Sequence, residues 1–211
     1  MKKFIISLIC LSTSMAAIAQ SDLLYNPENR AYFGARISLD ITSAAGGNEE
    51  YSNGAGFSFG AIYNIPLYMN LYFEPGLSIF YNTIDEDIPE AANGDTIDGS
   101  VRNFGFRVPL SVGYHFDFTD NMQFSVFTGP QINLSLKATE HIGKDSYSIF
   151  GDHGFNHIDL QWGIGVGLSH GRYYASISGG IGLTKARDFN LFGYNDSFSR
   201  NNLSVMLGYN F

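Results

Sequence analysis

The chain alternates between apolar and polar residues over eight separate segments. This period of two is typical of a β-strand that has two unlike faces. In segment 158–168, for example, six bulky apolar residues alternate with Asp, Gln and Gly. The eight segments are 33–42, 57–65, 71–81, 104–114, 122–136, 158–168, 173–183 and 203–211. The pattern therefore predicts eight strands.

The connections between these segments alternate between long and short. The long ones are 43–53, 82–100, 138–156 and 185–200, and the short ones are 66–70, 115–121 and 170–172. Long loops at one end and tight turns at the other are typical of an outer-membrane barrel. The predicted fold class is thus all-β, an eight-stranded antiparallel transmembrane up-and-down β-barrel. An even number of strands places both termini on the turn side, which is the periplasmic side.

The composition of the two faces indicates which of them points outward. The apolar face carries no charge and is bulky throughout, and the interior of an eight-stranded barrel is too narrow to hold it. The polar face is rich in Gly, Ser and Asn, whereas the outside of a soluble protein would carry many Lys and Glu. The apolar face is therefore predicted to contact lipid. A soluble periplasmic barrel with the apolar face inside is the alternative. Three strand prolines, Pro75, Pro109 and Pro130, each lack a ladder donor and are interpreted as local bulges.

The overall composition agrees with two opposed faces. The mean hydropathy is -0.03, and charged residues make up 15% of the chain, below the roughly 25% of soluble domains. The formal net charge of -8 argues against a nucleic-acid partner, which would require a basic surface. No stretch approaches the roughly 18 consecutive apolar residues of a spanning helix.

The first residues have the features of an export signal. Lys2 and Lys3 precede an apolar run, and a small-residue triplet ends at Ala19. We expect residues 1–19 to be a signal peptide cleaved between Ala19 and Gln20, and residues 20–211 to form a single barrel domain. The one cysteine, Cys10, lies within the signal. The exported chain would then contain no disulfide, thiolate nucleophile or Cys-ligated metal.

A few charged residues fall on the predicted inner face, and these are the candidate site. They are Arg36, Asp40, Glu74, Arg107, Lys137 and Asp159. Unpaired charges are costly in a lumen of low dielectric constant, so we expect a luminal charge network built on Arg36, Glu74 and Arg107, with Asp159 on the same face. Such a network would act either as a gate or ion path, or as a structural filling of a closed interior.

The sequence contains no legible catalytic or metal-binding set. The histidines lie in turns, in loops or at strand ends, and Ser169 and His170 are strand neighbours that point to opposite faces. Six acidic residues crowd segment 85–98, but they lack the ligand spacing of a calcium-binding EF-hand loop. We therefore predict a protein that is not an enzyme and has no cofactor and no metal, with a solvated acidic loop.

Several stretches resemble a known family. LYFEPGLSIFYN (71–82), FGFRVPLSVGYHF (104–116), FSVFTGPQINLSLKA (124–138) and DLQWGIGVGL (159–168) resemble the PorT-like outer-membrane β-barrel family of Bacteroidetes. The closing NLSVMLGYNF, with Tyr209 and Phe211, is similar to the C-terminal signal read by the barrel-assembly machinery. The resemblance implies an eight-stranded barrel in the outer membrane of a Gram-negative, Bacteroidetes-like cell. Its implied partners are membrane lipid and, during insertion, the assembly machinery.

Three functions are compatible with this sequence. The first is a non-enzymatic outer-membrane barrel whose lumen is filled by side chains and whose acidic extracellular loops bind a partner. The second is a small regulated channel or an accessory of a secretion or transport machinery. The third is an adhesin-like protein that acts through its long loops.

Overall fold

The described part of the chain folds almost entirely into β-strands. The computed structural model describes residues 31–46, 50–89, 96–119, 121–142, 145–150, 154–191 and 194–211. Its strands are β1 (Tyr32–Ala45), β2 (Glu50–Ser52), β3 (Gly54–Pro66), β4 (Leu71–Pro89), β5 (Thr96–Thr119), β6 (Met122–Ile142), β7 (Asp145–Ser148), β8 (Ile158–His170), β9 (Tyr173–Gly182), β10 (Lys185–Leu191) and β11 (Tyr194–Asn210). Within these ranges no helix is long and apolar enough to cross a membrane.

Eight long strands pair in a ring. β1, β3, β4, β5, β6, β8, β9 and β11 are neighbours in that order, and every pairing is antiparallel. β11 then pairs with β1, from Asn210 opposite Gly34 to Ser199 opposite Ala45. This ring confirms the prediction of an all-β, antiparallel arrangement of eight strands.

Three short connections lie at one end of the ring, as predicted. They join β3 to β4, β5 to β6 and β8 to β9. In the last of them Gly171 has a φ of 58°, which glycine adopts without steric cost and which a two-residue hairpin turn requires. The start of β1 and the end of β11 lie at this same end, since Gly34 pairs with Asn210. We call it the turn end, and the opposite end the loop end.

The predicted long loops consist partly of strand. β4 and β5 pair continuously from Ile84 opposite Val101 to Pro89 opposite Thr96, inside the segment predicted as loop. β6 likewise continues to Ile142, and β10 forms a hairpin with β11. The short strands β2 and β7 pair with β4 and β6. The sequence prediction missed these extensions because their outward positions are polar, so that they lack the apolar stripe of the other strands.

The ring changes character at its loop end. Along most of its height the outward side chains are apolar and exposed, as Leu39, Phe59 and Ile164 are, while the inward ones are polar and buried. At the loop end the inward residues instead form a buried hydrophobic cluster. Its members are Ile84, Val101, Ala138, Ile149, Phe155, Ala186 and Phe198. This cluster, called the loop-end cluster below, has the polarity of an ordinary soluble core.

Aromatic side chains surround the outside of the turn end. Phe33 packs on Tyr63 with ring centroids 4.5 Å apart, and Tyr173 packs on Tyr209 at 5.7 Å. Further pairs join Phe116 to Phe124, Phe118 to Phe124, Tyr114 to Phe116 and Tyr209 to Phe211. A belt of this kind is characteristic of the level where a barrel leaves the hydrocarbon.

The strand prolines are not bulges, which corrects the sequence interpretation. Pro75 lies opposite Leu110, Pro109 opposite Gln131 and Pro130 opposite Trp162, and no register shift occurs at any of them. A proline removes a hydrogen-bond donor but inserts no residue, so the ladder loses bonds without changing register.

A register shift does occur between Phe104 and Gly105. Phe104 pairs with Lys137 and Gly105 pairs with Ser135, so Leu136 is an extra residue on β6. As a result Leu136 and Lys137 are both exposed, and Ala138 is buried. Lys137 was predicted to face the lumen. That prediction is wrong because the bulge reverses the alternation just before this residue.

The loop-end cluster should contribute measurably to stability. Phe198 is 1% exposed, and replacing it by Ala should lower the free energy of unfolding by about 3 kcal/mol through lost burial and a cavity. Urea titration of the refolded barrel in detergent would measure this loss. The control is Phe118→Ala in the exposed aromatic belt, for which we expect a smaller change. Equal losses in the two variants would contradict a core at the loop end.

Candidate functional site

The lumen holds a continuous chain of charged and amide side chains, which we call the charge chain. Arg107 Nη1 donates to Asp40 Oδ2 at 3.1 Å, and its Nε donates to Asn133 Oδ1 at 3.1 Å. Asn133 Nδ2 donates to Asp159 Oδ1 at 2.9 Å, and Arg200 donates to Asp159 Oδ2. The five residues come from β1, β5, β6, β8 and β11. The charge chain therefore crosses the lumen from one side of the ring to the other.

Neighbouring groups fix the charge chain in position. Ser38 Oγ donates to Asp40 Oδ1 at 2.7 Å, and Gln161 Nε2 donates to the carbonyl of Arg200 at 2.8 Å. Phe80 contacts both guanidinium groups, with Arg107 Cζ 5.3 Å and Arg200 Cζ 5.2 Å from its ring centroid. The aromatic ring thus attracts both positive charges.

The burial of these groups makes the pairing necessary. The side chains of Arg107 and Asp40 are 7% and 0% exposed, and those of Arg200 and Asp159 are both 2% exposed. Removing one member of a buried ion pair leaves an uncompensated charge and costs about 3–5 kcal/mol. The two carboxylates balance the two guanidinium groups, so the charge chain is neutral as a whole.

A second layer of polar and aromatic side chains lies nearer the turn end. Asn64 Nδ2 donates to Glu74 Oε2 at 3.2 Å. Arg36 Cζ lies 4.3 Å from the ring centroid of Tyr174, and its Nη1 donates to the carbonyl of Ala35. Tyr72 and His115 stack with ring centroids 4.0 Å apart. We call this set the turn-end layer.

A small cavity separates the turn-end layer from the charge chain. Its volume is about 70 Å³, which is room for only a few waters. Arg36, Glu74 and Tyr174 line one side of it, and Arg107 and Ser204 also contribute to its wall. Arg36 and Glu74 thus share one polar cavity.

The predicted network is divided between these two layers. Arg36 and Glu74 lie together in the turn-end layer, but the ion partner of Arg107 is Asp40 and not Glu74. Asp159 lies in the charge chain, paired with Arg200. Sequence reasoning missed Arg200 because segment 185–200 was taken as a loop. The available signal was that Arg200, Asn202 and Ser204 continue the inward alternation of β11.

Among the residues that the structure describes, the loop end carries two further ion pairs that sequence reasoning did not identify. Arg187 Nη1 donates to Glu140 Oε1 at 3.2 Å, and both side chains are largely buried. On the exposed β10–β11 hairpin, Lys185 Nζ lies 2.9 Å from Asp188 Oδ1, and Ser197 Oγ donates to the same oxygen. These hydrogen bonds, first that of Lys185 and then that of Ser197, lower the pKa of the Asp188 carboxyl.

The remaining sequence candidates lie apart from one another. His115 is stacked on Tyr72, and His157 is stacked on Phe150 with ring centroids 3.9 Å apart. In the part of the chain that the structure describes, no three His, Cys, Asp or Glu side chains converge as a metal site. Most side chains of the acidic run 85–98 lie outside the described residues, as do Ala19 and Gln20.

The C-terminal residues of the predicted assembly signal lie in the aromatic belt. Tyr209 contacts Tyr173 and Phe211, and Phe211 is 72% exposed. The backbone N–H of Phe211 donates to the carbonyl of Phe33 at 2.8 Å. The end of the chain is therefore joined to the strand that begins the ring.

Comparison with known proteins identifies the family. The model of the outer membrane protein beta-barrel domain matches residues 18–199. The chain belongs to this family. Membership places the protein in the outer membrane of Gram-negative bacteria, and it is consistent with an apolar outer surface that faces lipid. None of the curated proteins matches the chain.

The solved structures that the chain matches have low sequence identity to it. Neisserial surface protein A has 13% identity and a TM-score of 0.47, and the match covers 87% of this chain and 100% of that chain. Ail, the attachment invasion locus protein of Yersinia pestis, has 16% identity and a TM-score of 0.42, with coverage of 87% and 100%. The N-terminal barrel domain of Pseudomonas aeruginosa OprF has 14% identity and a TM-score of 0.34, with coverage of 83% and 97%.

The charge chain should behave as a coupled unit in a double-mutant cycle. Asp40→Asn leaves Arg107 without its counterion and should lower the free energy of unfolding by about 3 kcal/mol. Arg107→Met should have a similar cost, since it leaves Asp40 unpaired. The combination of both changes should cost clearly less than the sum of the single losses. Urea unfolding of the four proteins in one detergent would measure the coupling, and strictly additive losses would contradict the pairing.

Proposed function

We propose that this protein is a non-enzymatic integral outer-membrane barrel that does not conduct. The observation that carries the proposal is the filling of the lumen at three successive levels. These are the turn-end layer, the charge chain and the loop-end cluster. An eight-stranded barrel is only wide enough for its own side chains, so each level excludes a continuous water path.

We propose further that the loop end faces the outside of the cell and carries the function. The strands continue past the lipid-facing surface at this end, and the buried loop-end cluster holds them together. The segment that contains the end of β4, the β4–β5 connection and the start of β5 is strongly acidic in sequence, with Asp85, Glu86, Asp87, Glu90, Asp95 and Asp98. A negatively charged segment at this end is suited to bind a cationic surface of a partner.

The finer assignments belong to the same proposal. The resemblance of segments 71–82 and 104–116 supports a PorT-like barrel of Bacteroidetes. The pattern of residues 1–19 supports a signal peptide cleaved between Ala19 and Gln20. Tyr209 and Phe211, at the end of a strand that pairs with β1, support a C-terminal signal for the barrel-assembly machinery.

A small regulated channel is the competing function, favoured by the cavity at Arg36 and Glu74. Planar-bilayer recording separates the two. We expect the purified wild-type barrel to give no stable unitary openings, because the charge chain and the loop-end cluster close the path on the loop side of that cavity. An open porin inserted in the same bilayer is the control for detection. Reproducible openings of the wild-type barrel would overturn the closed-barrel proposal.

The proposed orientation can be tested on intact cells. An epitope inserted between β4 and β5, after residue 92, should bind antibody without permeabilisation. The same epitope inserted between Gly171 and Arg172, in the β8–β9 turn, should bind only after the outer membrane is permeabilised. Flow cytometry of both strains, with and without permeabilisation, gives the answer. The opposite accessibility would place the loop end in the periplasm.

A further inference from the structure

Two cations on the outer surface differ from the other positive side chains that the structure describes. Among the described residues, the other arginines and lysines have partners: Arg36 with the ring of Tyr174, Arg107 with Asp40, Arg172 with Tyr209, Lys185 with Asp188, Arg187 with Glu140, and Arg200 with Asp159. Arg102 and Lys137 are both exposed and form no hydrogen bond or ion pair within the described residues.

These two cations lie close together on neighbouring strands. On β5 and β6, Phe104 pairs with Lys137 and Arg102 pairs with Thr139. Arg102 and Lys137 are therefore diagonal neighbours on the outer face, at a separation of about 7–8 Å between backbone positions. Both side chains are long and flexible, so their charged ends can meet on one ligand.

The bulge on β6 is what brings Lys137 to the outside. If β6 alternated regularly from the inward Ser135 through Leu136, Lys137 would lie on the inner face, where it would add an uncompensated charge to the lumen. Bulges are often found where a strand must re-aim a side chain next to a functional site. Here the bulge creates an exposed pair of cations in an otherwise acidic protein.

The pair lies at the boundary of the lipid-facing surface. Phe104 and Leu136, the apolar neighbours on the turn side, are 40% and 44% exposed and belong to that surface. Towards the loop end the outer positions become polar, with exposed Asp85 opposite Ser100. A ligand held here would place an anionic group on the cations and an apolar part on Phe104 and Leu136.

We propose that Arg102 and Lys137 bind the phosphate of a phosphorylated glycolipid of the lipid A class in the outer leaflet. The planar guanidinium of Arg102 can donate two hydrogen bonds to phosphate oxygens, and the ammonium of Lys137 adds a second positive charge. The acyl chains lie along Phe104 and Leu136. This inference rests on the proposed orientation, with the loop end outward.

The test is the affinity of the purified barrel for diphosphoryl lipid A, measured by native mass spectrometry from dodecyl maltoside micelles. The R102Q/K137Q variant should bind at least about tenfold more weakly, because it loses two charge-assisted contacts. The matched control is R172Q/K185Q, which removes the same charge from cations that already have partners. It should bind like the wild type. K137R should retain binding, since it keeps the charge.

Three outcomes would overturn the proposal. They are undiminished binding by R102Q/K137Q, an equal loss in R172Q/K185Q, and tighter binding of phosphatidylglycerol than of lipid A. Inorganic phosphate alone should not compete at concentrations comparable to the lipid, since it lacks the apolar part. Heat-modifiable migration on gels checks that each variant is folded. The measurement is independent of conductance and of epitope exposure, so a failure here differs from a failure of the proposed function.

Discussion

The pairing of the first long strand with the last is the interaction on which the rest of the structure depends. In hydrocarbon no water is available to bind an exposed N–H or C=O group, so a sheet can exist there only without free edges. The pairing of β1 with β11 meets this condition. It also fixes a ring of eight strands, whose interior is narrow. The polar faces of all eight strands must then pack against one another, which explains why so many inner positions are Gly and Ser.

In a narrow interior, each inward-facing charge needs a counterion or a hydrogen-bond partner. Arg107 and Arg200 both contact the ring of Phe80 and are paired with Asp40 and Asp159, and Asn133 links the two ion pairs. Low dielectric strengthens these bonds and equally raises the cost of losing any one of them. The same reasoning applies in reverse to Lys137, whose charge has no counterion inside and is carried outside by a bulge.

The sequence predicts the ring and its two faces because the outward residues of the eight long strands are apolar along the lipid-facing part of each strand. It predicts that Arg36, Glu74, Arg107 and Asp159 point inward, since inwardness follows from alternation alone. Alternation does not predict which inward residues pair with each other. That Arg107 bonds Asp40 depends on how the strands are staggered around the ring. Arg200 and the loop-end cluster were hidden for another reason: strands with a polar outer face carry no amphipathic signal. The bulge at Leu136 has no signature in the residue types around it, so the sequence did not predict that Lys137 faces outward.

Because of the loop-end cluster, the buried and exposed faces of a strand have opposite polarity at its two ends, although the pairing between strands is continuous. Near the turn end an apolar side chain belongs outside, and near the loop end it belongs inside, as Ile79 and Ile84 show on the same strand. Tolerance to substitution is therefore a function of height as well as of face. A change of length in a loop-end hairpin leaves the membrane ring intact, so this rim can diversify while the barrel beneath it is conserved in geometry. The loop-end part can therefore change in length independently of the strands that cross the membrane.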